Sequence, residues 1–401
     1  MPRFVLTGGL ETALADASAL EVEAALALGR LDGALGACPP ATLRLFAGTQ
    51  LRAMLIAALR QEGHAFTEPR FHAWFAGLVT LSDEAPRHAR PPRVLVEAVL
   101  TEMTHSSWEP LASLATRLLP ALLAPQDYSG GELDEDAPHE EAHAVIAAAR
   151  RLIETPGKDR FPLPFPALAS LHRAVGQDLT FAPTERNSEP ISLGPLRMTV
   201  ERARLPSPRW AIELLWGEQW RSAGILRYAL PWPGLIRLDA LQGDLEPGEA
   251  RIIIATALRD GAQVLSGQLA DADHLAQRSA DRSPGRRSTS RAPALFELLA
   301  GFGALRSAQI ETLLGASRLG VRTMLAALDA LSVLECRTIA GVRLYALRPA
   351  PEPEPTPADG LAPLAFSSAA VADFNAAMAN ADDVLARLGV DIDEGDERDP
   401  A

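Results

Sequence analysis

One lysine, Lys158, stands in a chain of 401 residues, so nearly all the positive charge is arginine. Cysteine is almost as scarce. Cys38 and Cys336 lie far apart with no CxxC and no Cys/His cluster, which argues against a disulfide framework and a zinc finger. No apolar run reaches the length of a membrane span, and Met1 to Leu10 lacks the charged start and long apolar stretch of a signal peptide. The expected location is the cytoplasm, with no membrane partner. A Walker A loop, a GxGxxG between strand and helix, a GxSxG elbow and the kinase set are all missing, so no cofactor and no named reaction are expected. His64, His72, His88, His105, His172 and His274 are scattered without ligand spacing. A chain rich in Ala, Arg and Pro with few Asn and Lys reflects a GC-rich coding bias more simply than a need for phosphate contacts. Taken whole, the net charge of −13 argues against nucleic acid.

What is present is enough apolar material, 47% of residues, to fill real cores in two or three domains. Mixed apolar faces at Ala19 to Leu35, Thr42 to Gln61 and Arg93 to Met103, punctuated by Pro39-Pro40, Glu68-Pro69 and Pro91-Pro92, predict helices. Trp74 and Phe75 belong to their core. Glu132 to Glu141 reads as an acidic surface loop, and Ala142 to Glu154 as a helix. Leu196 to Ala203 is a strand or a helix, and Trp210, Trp216, Trp220 and Trp232 cluster nearby as core and interface or as a binding surface. Helix returns at Pro247 to Ala276.

Ser307 to Leu347 carries the clearest pattern. Ile310, Leu313 and Leu314 form one apolar stripe, Gly315 allows a sharp turn, and Val321, Met324, Leu325, Leu328 and Leu331 form a second stripe at helical spacing. Ser332 to Leu334 end that second helix. Cys336 to Ile339 and Val342 to Leu347 then make strands around Ala340-Gly341, and Pro293 to Phe302 supplies a first helix with Leu295, Leu298, Leu299 and Phe302 inward. This is the layout of a winged helix-turn-helix. Ser317 is placed to cap the second helix, and Arg318, Arg322 and Thr323 lie near its N-terminal end, off the apolar stripe, where arginines reach guanine edges or phosphates. Arg337 and Arg343 flank the wing. Glu311 departs from the helix-turn-helix pattern, which usually has a small residue where the helices approach. A small helical unit that only packs or dimerises is the competing reading.

Dividing the charge reverses the inference drawn from the total. Leu275 to Arg348 holds eleven arginines against five carboxylates, a net of +6, while Pro349 to Ala401 holds twelve carboxylates against two arginines, a net of −10. Arg278 to Ser290 is a basic linker in which Arg286 and Arg287 are placed to trail along phosphates. The proline-rich spacer from Pro349 leads to an amphipathic helix through Val371, Phe374, Met378, Leu385 and Leu388, and the acidic end is placed to compete with DNA for arginines.

His139-Glu140-Glu141-Ala142-His143 is a literal HExxH, with two histidines one helical turn apart to hold Zn²⁺ and Glu140 as base. Pro138 abuts the first histidine, Glu141 puts a charge inside the motif, and Glu154 is only a weak third ligand. A zinc-dependent hydrolase is therefore the alternative function, and acids at a helix start are the plainer account.

Gly285 to Leu299, GRRSTSRAPALFELL, followed by the helix-turn-helix pattern, resembles the C-terminal part of a bacterial family of unassigned activity that joins a helical N-terminal region to a helix-turn-helix DNA-binding domain. Ala142 to Ile146, running into Arg150 and Arg151, is similar to it as well. The resemblance covers about a quarter of the chain. It implies DNA binding and supplies no catalytic residue. That family's N-terminal region is sometimes likened to Fic-type proteins, but no HxFxxGNxR loop occurs here, so AMP transfer is not implied.

The expected architecture is mainly α. It comprises a helical N-terminal domain over 1–185, a tryptophan-rich middle region over 186–277, mixed or helical, a basic linker over 278–291, a winged helix-turn-helix over 292–348 and a Pro-rich acidic tail over 349–401. The expected function is transcriptional regulation by a homodimer on double-stranded DNA, with the N-terminal region sensing a small-molecule effector or mediating assembly. A protein-interaction scaffold that does not bind DNA is a further alternative.

Overall fold

The computed structural model describes residues 7–78, 90–125, 137–154, 164–182, 188–193, 196–201, 207–241, 245–281, 291–339 and 341–348. Arg286, Arg287 and the whole tail from 349 lie outside them. The fold is mainly α. Helix α1 (Thr7–Ala37) is followed by α2 (Pro40–Gln61). Pro39 and Pro40 separate the two, because neither supplies the N–H that a continuous helix needs, while a proline is welcome in a helix's first turn. Then come α3 (Glu68–Phe75), α4 (Pro92–Met103), α5 (Glu109–Leu118), α6 (Ala137–Glu154) and α7 (Pro164–Gln177). An antiparallel hairpin of β1 (Ser188–Leu193) and β2 (Leu196–Glu201) follows, so residues 196–201 of the segment read as strand or helix are strand. Helices α8 (Trp210–Ser222) and α9 (Pro247–Asp281) complete the helical body. No described helix is long and apolar enough to cross a membrane.

Three elements need correction. The basic linker expected to begin at Arg278 starts later, because α9 runs on to Asp281. Residues 137–141, expected in the acidic loop, are the first turns of α6, where Pro138 is tolerated and Glu140 faces the positive end of the helix dipole. The helix expected to end over Ser332 to Leu334 stops at Asp329, and Leu334 already opens a strand. Ser332 takes a left-handed φ of 55° to make that corner.

The long helices set the frame. Ala24, Leu28, Leu31 and Leu35 of α1, with Ala17 one heptad earlier, and Leu258, Ala262, Leu265, Leu269 and Ala272 of α9, are buried at alternating steps of about three and four residues, the spacing of a coiled-coil seam. Glu21 pairs with Arg251 and Glu23 with Arg259, and just beyond α1 the Thr42 hydroxyl donates to Asp273, so α1 and α9 run the same way. Helix α2 turns back along α9, where Gln50 Nε2 donates to Gln268 Oε1 at 2.6 Å.

The four clustered tryptophans are core. Trp210, Trp216, Trp220 and Trp232 are all buried, and Trp220 meets Trp232 edge to face at 4.8 Å. Glu213 is fully buried among them. Its Oε2 accepts from Gln61 Nε2 at 2.7 Å and its Oε1 from the Ile236 N–H at 3.2 Å, yet burial pushes its carboxyl above the usual carboxylate range.

The C-terminal module is built from α10 (Ala292–Gly301), β3 (Leu305–Arg306), α11 (Ser307–Leu314), α12 (Arg318–Asp329), β4 (Leu334–Ile339) and β5 (Val342–Leu347). Its sheet has the order β3-β5-β4, antiparallel throughout. Leu295, Leu298, Leu299 and Phe302 are buried as expected, together with Ile310, Leu313, Val321, Met324, Leu325 and Leu328. Leu314 and Leu331 are only half-buried.

The module is fastened to the helical body. A Cβ on Gly48 would lie 2.8 Å from the carbonyl carbon of Gly301, so the backbones of α2 and α10 meet directly. Arg44 grips Glu297 through two 2.8 Å bonds, and Arg52 donates to the Phe302 carbonyl at 3.2 Å. The Gln309 side chain, buried, donates to the carbonyls of Phe75 at 3.2 Å and Ala121 at 2.9 Å. His72 lies beneath Gly303, whose φ of +112° and lack of Cβ leave room for the imidazole ring.

Two outcomes are expected. Gly48→Val should cost about 1–3 kcal/mol in urea unfolding by overpacking this joint, whereas Gly29→Ala, whose new Cβ meets nothing within 4 Å, should cause no loss. Because Glu213 holds its proton more tightly folded than unfolded, its contribution to stability falls as pH rises above the ordinary carboxylate pKa toward the raised one. Glu213→Gln should therefore melt above the wild type at pH 8, with the margin closing by pH 5. Gln61, whose Oε1 has no partner, can turn to accept the new amide.

Candidate nucleic-acid interface

Helix α11 ends at Gly315, whose φ of +54° lets the chain reverse without strain. Arg291 Nη1 donates to the Leu314 and Gly315 carbonyls at 3.0 and 3.3 Å, satisfying acceptors that the helix end leaves open. Two residues later Ser317 begins α12 as expected: its backbone is extended and its Oγ accepts from the Gly320 N–H at 3.2 Å.

From that cap onward α12 has two faces. Val321, Met324, Leu325 and Leu328 are buried, while Arg318, Leu319, Arg322 and Thr323 are exposed. Thr323 Oγ1 donates to the Leu319 carbonyl at 3.0 Å, which leaves it only acceptor capacity and a methyl for a partner. Leu319, 73% exposed, is the one residue here that sequence reasoning passed over on the helix itself.

Four elements converge beside this face. Arg306 of β3, Ser307 at the start of α11, Arg318 and Arg322 of α12, and Arg343 of β5 line one cleft of about 390 Å³, with Leu325, Val342 and Tyr345 completing it. No carboxylate lines it. Among the described residues no hydrogen bond or ion pair engages the guanidinium groups of Arg318, Arg322 or Arg343, and Arg306 reaches only the Ala76 carbonyl at 3.3 Å. Arg306 arrives through sheet register: it pairs with Leu344, the neighbour of Arg343. Sequence reasoning missed it because β3 is two residues long and carries no periodicity.

The other expected residues fall elsewhere. Arg337 lies on β4 but its Nε donates to Glu335 Oε1 at 2.5 Å, so its charge is already shared with a carboxylate. Glu311 is half-buried on α11, and its carbonyl accepts from the Ala316 N–H at 3.1 Å within the turn. Arg286 and Arg287 lie outside the described residues.

The HExxH is not assembled for metal. His139 Nε2 is 3.0 Å from Glu97 Oε2 of α4, and Glu140 and His143 are exposed. Among the described residues no group of three or more His, Cys, Asp or Glu side chains is placed to hold an ion.

Ser317→Ala should cost about 1 kcal/mol of unfolding free energy, the usual worth of an N-cap, and an unchanged urea midpoint would show that the Gly320 N–H finds another acceptor. No model of a known protein family and no curated protein matches the chain, so the functional reading rests on this geometry.

Proposed function

We propose that this chain is a cytoplasmic DNA-binding protein acting in transcriptional regulation, and that its C-terminal module is a winged helix-turn-helix. The observation that carries the reading is the cleft: four arginines brought from three elements, with no acid among its lining residues. Gathering like charges is unfavourable unless an anion joins them, and a phosphate backbone is the polyanion whose spacing suits a row of guanidinium groups. The N-terminal end of α11, at Ser307, adds backbone donors and the positive end of a helix dipole to the same place.

In this reading α12 enters the major groove. Arg318 and Arg322 take guanine edges or phosphates, Ser317 allows close backbone approach at the helix start, and Thr323 offers an acceptor. Leu319 supplies the apolar contact that fits a thymine methyl. Arg343 and Arg306 hold phosphates on the wing side, and Arg337 serves there once it leaves Glu335. One module makes few base contacts, so the active species is a homodimer on paired half-sites.

The test is Arg318→Ala combined with Arg322→Ala, titrated against double-stranded DNA by fluorescence anisotropy at two salt concentrations. Affinity should fall at least tenfold, and the dependence on salt should lessen by about one to two in log–log slope. An unchanged affinity and slope would overturn the assignment. Retention of no DNA by the wild type at any salt would favour a protein-interaction scaffold instead.

A further inference from the structure

A second cavity, of about 460 Å³, lies in the helical body, in the size range of small-molecule sites. Gln50 of α2, Trp232 of the segment after α8, and Ile253, Ala257, Val264 and Gln268 of α9 are among its walls. Its shape depends on Gly261, because a Cβ there would meet Trp232 Nε1 at 2.5 Å. At the rim Val264 is 58% exposed, although the α9 seam residues beside it are buried. Standing at the mouth, it would touch an apolar ligand, and a bulkier side chain there would narrow the opening.

The polar groups of the cavity narrow the ligand's chemistry. Gln50 is fully buried, and its Nε2 donates to Gln268 Oε1, yet its own Oε1 has no hydrogen-bond partner. A buried amide oxygen left unpaired is costly, and a donor on a ligand would satisfy it. The charged groups of its lining already have partners. Arg237 is paired with Asp239 at 3.0 Å and Asp260 with Arg259 at 2.9 Å. The Trp232 indole offers an aromatic wall suited to a ring.

We propose that this cavity binds a small, uncharged aromatic molecule carrying one hydrogen-bond donor, which reaches the Gln50 amide while its ring packs between Trp232 and the apolar residues of α9. The site is distinct from the arginine cleft and does not depend on DNA binding, so the two fail separately.

The probes are 2-naphthol, a ring with one O–H donor, and 2-methoxynaphthalene, nearly the same shape with none, each titrated into the full chain by isothermal titration calorimetry. The wild type should bind 2-naphthol saturably at one per chain and at least tenfold more tightly than 2-methoxynaphthalene. Val264→Trp, on the exposed rim, should close the mouth and weaken 2-naphthol at least tenfold without moving the melting temperature. Gln50→Leu should bring the two probes to equal affinity. Absence of saturable binding, equal affinities in the wild type, or 2-naphthol binding untouched by Val264→Trp would each overturn the proposal, and the Val264 variant decides alone should Gln50→Leu fail to fold.

Discussion

The Gln309 side chain holds three backbone groups at once. Its Oε1 accepts from the Arg306 N–H at 3.1 Å, and its Nε2 donates to the Phe75 and Ala121 carbonyls. One buried amide therefore positions an arginine of the cleft, starts α11, and bolts the module to the helical body. A network of this kind is strong because every member is satisfied away from water. With the direct approach of Gly48 and Gly301 beside it, the orientation of α12 is set by the body and not by a free hinge. Whatever alters the packing of α2 or α10 thereby bears on the cleft.

The arginines of the chain divide by what they touch. In the body, Arg227 reaches Asp32, Arg251 reaches Glu21 and Arg93 reaches the Ala124 carbonyl, while Arg209 donates to the Ile236 carbonyl. These arginines stitch one element to another and fit a coding bias that used arginine wherever a cation was wanted. Among the described residues no side chain or carbonyl engages the guanidinium groups of Arg318, Arg322 or Arg343 in this way. Their convergence, and not the abundance of arginine, marks a site, and this is why the net charge of −13 is a poor guide to this surface.

Much of the module was legible because its cues are local. The stripes through Ile310 and Leu313 and through Val321 to Leu328 follow the helical period, Gly315 is the residue a left-handed turn favours, and Ser317 is a common cap. The cleft was legible only in part. Arg318 and Arg322 share one helix face, but Arg306 and Arg343 meet through strand pairing across most of the module, which no local pattern encodes. The cavity under Trp232 was hidden for the same reason: α2, the segment after α8 and α9 are brought together by packing alone. The start of α6 was misjudged because Pro138 and the glutamates look like loop residues, although a helix's first turn accepts both.

The parallel seam of α1 and α9 has a consequence for the order of events during synthesis. Leu28 and Leu31 wait for partners such as Leu258 and Leu265, more than two hundred residues later in the chain. An emerging α1 therefore carries an apolar stripe with nothing to cover it until the ribosome has made nearly two-thirds of the protein. Contacts so distant in sequence form slowly, and exposed stripes invite association with other chains meanwhile. The alanines at positions 17 and 24 lessen that hazard, since small seam residues expose less apolar surface before α9 arrives.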